Sequence, residues 1–104
     1  MADYYRLNED HSVTRIDLFE WAHRMEGRGD PDRWRVDGTM LSNGKYVSTV
    51  FLGLNHAFGS GPPLLFETMV FPSDTDFADE YCERCSTWDE AVIMHAEAVA
   101  LYDQ

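Results

Sequence analysis

The residues most able to do chemistry are Cys82, Cys85 and His95, because a Cys-x-x-Cys pair with a following imidazole supplies three of the four ligands of a tetrahedral zinc site. No fourth ligand stands nearby, and His56 is the one candidate from elsewhere in the chain. The leading reading is therefore two small buried thiols and a core-facing histidine bonded to a neighbour, with a zinc-stabilised module as the alternative. A redox pair is the weaker option, since its flanks differ from the thioredoxin pattern, although Cys85 does precede a helix start.

A second pair is His56 with Glu67. Glu67 interrupts an apolar strand, where burial would raise its pKa as a general acid requires, and His56 belongs to the same hairpin. No nucleophile motif or second carboxylate accompanies them. A small enzyme or ligand-binding domain using His56 and Glu67 is thus an alternative, and no catalytic residue or cofactor is assigned. The loop from Phe58 to Pro63 lacks the Lys-Ser or Lys-Thr ending of a phosphate-binding loop and reads as a stiff display of His56 and Phe58. Asp74, Asp76, Asp79, Glu80 and Glu83 form an acidic stretch whose leading reading is a solvated loop in an acidic protein, with engagement of a basic protein surface, as duplex phosphates do, as the alternative.

The elements that must position these residues begin with a short strand, Tyr4 to Leu7, and a turn at Asn8 to His11. Asp17 and Glu20 stand at capping-box spacing, which predicts a first helix whose apolar stripe is Leu18, Trp21, Ala22 and Met25. From Arg33 to Leu41 the alternation places Trp34, Val36 and Met40 on one face and Arg35, Asp37 and Thr39 on the other, as in an edge strand. Ser42 to Lys45 is a turn into a long apolar hairpin, Tyr46 to Leu54 and Leu64 to Phe71, with large apolar groups at odd and even positions. Both faces of that hairpin should therefore be covered. A fourth strand over Tyr81 to Cys85 precedes a last helix starting at Ser86 or Thr87, with Trp88, Val92, His95, Val99 and Tyr102 along one face.

The sum is one α+β domain over 1–104: an antiparallel sheet of three or four strands with an N-terminal and a C-terminal helix packed on it. Either the helices divide between its faces or a second copy of the chain covers the open side as a homodimer. With 104 residues and 44% hydrophobic content the chain needs no disulfide or metal to fold. Nineteen acids against eight bases give a formal charge of −11, which disfavours direct binding to nucleic acid or anionic membranes. No apolar run approaches the ~18 residues of a membrane helix. The start Met1-Ala2-Asp3-Tyr4-Tyr5 lacks a signal-peptide pattern, so a cytoplasmic protein with reduced thiols is expected.

The segments Val47-Ser48-Thr49-Val50-Phe51-Leu52-Gly53-Leu54-Asn55-His56-Ala57-Phe58-Gly59 and Gly61-Pro62-Pro63-Leu64-Leu65-Phe66-Glu67-Thr68-Met69-Val70-Phe71 resemble the signature of small uncharacterised proteins of tailed bacteriophages and prophages. Glu83-Arg84 before Ser86-Thr87, and Glu90-Ala91 with His95, extend the resemblance over about the last two thirds of the chain. It implies a phage or prophage origin and a setting in the host cytoplasm. It also lowers the zinc reading, because relatives carry an aromatic residue where Cys85 stands and no cysteine at the position of Cys82. By class it implies a non-enzymatic accessory protein that binds or modulates a host protein, with an anti-defence inhibitor acting through an acidic surface as one form.

Overall fold

The structure, a computed structural model, describes residues 3–25, 34–55, 61–73 and 80–103. Its elements in chain order are β1 (Tyr4–Leu7), β2 (Val13–Ile16), α1 (Leu18–Met25), β3 (Arg35–Met40), β4 (Tyr46–Phe51), β5 (Phe66–Phe71), β6 (Tyr81–Cys85) and α2 (Trp88–Tyr102). The strands β3-β4-β5-β6 form an antiparallel meander, and β1 and β2 form a separate hairpin. The α+β architecture expected from the sequence is present, with α2 packed on the four-stranded sheet.

Strict alternation in β4 decides where the core lies. Val47, Thr49 and Phe51 are fully buried, whereas Tyr46, Ser48 and Val50 on the other face are half-buried. Phe66, Thr68 and Val70 of β5 share the buried face, and Ala91 and Ala98 of α2 close over it. Alanines at the contact let the helix backbone approach the sheet closely, so the buried face of α2 is Ala91, Met94, His95 and Ala98. Trp88, Val99 and Tyr102 are half-buried at its edge, and Val92, which the spacing assigned to the packed face, is exposed. Each fully buried phenylalanine contributes about 2–3 kcal/mol by its removal from water.

The β1–β2 hairpin covers the other end of the same face, where Tyr5, Leu7 and Val13 pack on Phe51, Leu65 and Phe66. It is tied to the sheet by the Tyr5 amide donating to the Gly53 carbonyl at 3.0 Å. Helix α1 rests on β1, with Trp21 against Tyr4. The two helices are therefore not divided between the faces of the large sheet. The Asp17 carboxylate accepts from the Glu20 amide at 2.8 Å, which realises half of the expected capping box. Glu20 turns instead to Arg24 and Arg6, whose guanidiniums hold its carboxyl below the usual carboxylate range. Among the residues of the expected α1 stripe, Leu18 and Ala22 are exposed and Trp21 is half-buried.

One correction to the strand reading matters for the site. The pairing of β3 with β4 slips between Arg35 and Asp37, so that Arg35 pairs with Val50 and Asp37 with Thr49. The bulge absorbs Val36, which still packs into the core, and puts Asp37 and Thr39 on the helix side, while Met40 is exposed. Alternation alone assigns Asp37, Thr39 and Met40 to the opposite faces.

Candidate functional site

His95 is 4% exposed and lies between the helix and the sheet. Its Nδ1 is 2.7 Å from Thr49 Oγ1 and its Nε2 is 2.8 Å from Thr39 Oγ1, and Thr49 is bonded in turn to Thr68. Asp37 Oδ2 stands 3.6 Å from Nε2. With the proton on Nε2, the side toward Asp37, Nδ1 can accept from Thr49 and Thr49 can accept in turn from Thr68. Burial pushes the His95 pKa down, and Asp37 partly opposes this. This ring is the bonded core histidine of the leading reading, and both of its nitrogens are engaged.

Cys82 and Cys85 stand on opposite faces of β6, because residues three apart in a strand point opposite ways. Cys82 pairs in register with Met69 and its thiol reaches Glu67 Oε2 at 3.7 Å, whereas Cys85 pairs with Phe66 on the core side and its thiol donates to the Thr87 carbonyl at 3.6 Å. The zinc trio of the alternative reading is therefore not brought together, and among the described residues no group of three potential ligands converges. Burial and then Glu90 push the Cys85 thiol up to about 11, which keeps it protonated and unreactive at neutral pH. Glu67 is 9% exposed on the far face of the sheet, where Arg84 Nε donates to its Oε2 at 2.9 Å across the β5–β6 pair. His56, Phe58, Asp74, Asp76 and Asp79 lie outside the described residues. Glu80 is ion-paired with Lys45, and Glu83 is exposed on β6.

What the sequence reading overlooked is the outward side of α2. Val92 is 47%, Ile93 59% and Leu101 58% exposed, with Ala96 and Ala100 exposed between them. A helix that covers one sheet needs one apolar stripe, yet α2 is apolar around most of its circumference. That excess was the available signal. Beside Ile93, a cleft of about 390 Å³ runs between α2 and β6, and Glu83, Glu90 and Glu97 line it together with Tyr81, Cys85 and Met94. Three carboxylates around an apolar floor make the cleft negative; the Tyr81 phenol is pushed up by burial and then by Glu83 and Glu97. Such a rim is complementary to a surface that carries both apolar and basic groups.

The cap of α2 orients this rim. Thr87 Oγ1 accepts from the Glu90 amide at 3.2 Å as the N-cap and donates to Glu90 Oε1 at 3.0 Å, which orients the Glu90 carboxylate beside the cleft. Among the described residues no helix is long and apolar enough to cross a membrane. Comparison with protein-family models, with curated proteins and with solved structures finds no match to this chain.

Proposed function

We propose that the protein is a non-enzymatic binding module that engages a partner protein through the outward face of α2 and the acidic cleft beside it. The observation that carries this reading is the exposure of Val92 and Ile93 next to the cleft lined by Glu83, Glu90 and Glu97. A basic partner fits and a second copy does not, because two copies would bring like-charged rims together in chains of formal charge −11. The resemblance of the β4–β5 region to tailed-phage proteins adds that the partner is a host protein in the host cytoplasm. A defence or nucleic-acid-handling factor has the basic surface this rim suits. The engaged state of His95 and Glu67 and the protonated Cys85 thiol support a role without catalysis.

Affinity capture from host lysate tests the reading with three baits: the natural chain, Ile93→Ser, and a triple Glu83→Gln, Glu90→Gln, Glu97→Gln variant. One partner should be held stoichiometrically by the first, lost by the second and made weaker and less salt-sensitive by the third. Recovery of no saturable partner at low and moderate salt, or of one held equally by all three, removes the support.

A further inference from the structure

Strand β6 ends the four-stranded sheet, with β5 on one side and no strand on the other among the described residues. The Cys85 carbonyl accepts from the Leu65 amide at 2.9 Å, so Cys85 turns its backbone to β5. Alternation turns Glu83 the same way and leaves the Arg84 amide and carbonyl facing the open side. The side chains alternate too: Tyr81, Glu83 and Cys85 line the cleft beside α2, whereas Arg84 reaches Glu67 on the far face. One strand thus supplies both a cleft wall and, at Arg84, a donor and an acceptor that face away from the sheet.

Helix α2 runs alongside β6 in the opposite sense. Ala91 packs with Phe66 and Cys85 at one end, and Ala98 with Val70 and Tyr81 at the other. The cleft is therefore a trough along the strand, with Glu90 toward Cys85, Ile93 and Met94 midway, and Glu97 toward Tyr81. Ile93 is the exposed apolar group at its middle. Among the described residues Glu83 and Glu97 make no ion pair, and the Glu90 carboxylate bonds only the neutral Thr87 hydroxyl. No cation on the chain neutralises the trough there.

We infer that β6 accepts an extended segment of the partner protein as a fifth strand, whose helix-side residues, basic, apolar and basic at alternate positions, lie in the trough. The proposal rests on α2 and its cleft being the binding surface, and it names the shape of what binds there. Main-chain bonds to an open sheet edge hold such a segment, and its alternate side chains select it. Glu90 and Glu97 are seven residues apart, ~10 Å along the helix, and the outer two of three alternate side chains on a strand are ~13 Å apart. The long stems of lysine and arginine absorb that difference, with Ile93 against the apolar residue between them. Charge selects the occupant: an acidic segment would meet three carboxylates, and a second copy would bring the same three.

The probe is an end-capped nine-residue peptide of threonine and serine with lysine, valine and lysine at its third, fifth and seventh positions. One control moves the lysines to the fourth and sixth positions, on the opposite side of the strand from the valine. Two more carry N-methyl groups on alternate amides, at the odd or the even positions. Amide shifts and amide hydrogen exchange of the natural chain are read during titration at constant ionic strength. The probe should bind saturably below millimolar concentration, about fivefold or more tighter than the lysine-shifted control, with slowed exchange at the Arg84 amide. Only one of the two N-methyl peptides should lose binding, because alternate amides of an added strand face the sheet. Glu97→Gln should weaken the probe by roughly three- to tenfold, as loss of a charge-assisted pair does. Shifts on α2 alone, with both N-methyl peptides binding as the probe does, overturn strand addition and leave the α2 face as the binding surface. No saturable response, equal affinity for the lysine-shifted control, or a dimer of the natural chain with the Arg84 amide already protected also overturns it. Affinity capture with the three baits then judges the binding of a host protein by itself.

Discussion

His95 couples the helix to three strands through hydroxyl groups, and this makes it the residue on which pH acts most directly. Its pKa is pushed down by burial from an ordinary value of 6.5, so the unfolded chain takes up a proton more readily than the folded one. Its contribution to stability is therefore complete above that value and falls away as the pH drops below it. The thermal midpoint should decline from pH 7 toward pH 5.5, and His95→Leu should flatten that part of the profile. The same substitution strips Thr39 and Thr49 of a partner, at a cost of about 2–3 kcal/mol in denaturant unfolding. An unchanged slope in the variant would move the titration to another group. On the far face, Arg84→Ala leaves the Glu67 carboxylate buried without its cation and should cost about 1–3 kcal/mol. A double Glu67→Leu, Arg84→Leu variant should recover most of that loss, and a double variant as unstable as the single one would contradict this account of the pair.

At the scale of elements, Gly53 joins β4, the hairpin and α1. Its φ of +74° lies where a side chain is strained, and an added Cβ would sit 3.3 Å from Trp21 Nε1, which is buried without a hydrogen-bond partner among the described residues. Gly53→Ala should therefore lower stability by about 1–2 kcal/mol. Hydrogen exchange should show β1 and β2 loosening before β4 and β5, whereas uniform loosening would mean that the hairpin is not a separable unit. The elements that the sequence displayed best were those with chemical punctuation: Asp17 and Thr87 at helix starts, and the Ser42-to-Lys45 turn into the meander. Strand β2, Val13-Thr14-Arg15-Ile16, was not read from the sequence, although its three β-branched residues favour a strand. From Asp37 onward the faces of β3 departed from the reading, because a bulge at Val36 shifts the alternation, while Trp34 and Val36 pack into the core as the pattern implied. The packed face of α2 rotated away from Val92 because alanines, silent in a hydrophobic pattern, form the contact.

Across the whole molecule, one face of the sheet is committed to the core, the helix over it remains apolar on its outer side, and acids flank the exposed stripe. Among the described residues, Phe19 at 84% and Leu18 at 50% on α1, and Met40 at 52% on β3, are also exposed. The proposal places partner binding on α2 because there, among the described residues, exposed apolar groups adjoin a cleft lined by Glu83, Glu90 and Glu97. Proximity labelling separates the two surfaces directly. A photo-crosslinking amino acid placed at position 93 or at position 19, in chains irradiated in the lysate used for affinity capture, should give one discrete adduct from 93 and none from 19. Adducts from 19 alone, or none from 93 while the natural chain retains a stoichiometric partner, would contradict the claim that α2 is the recognition element.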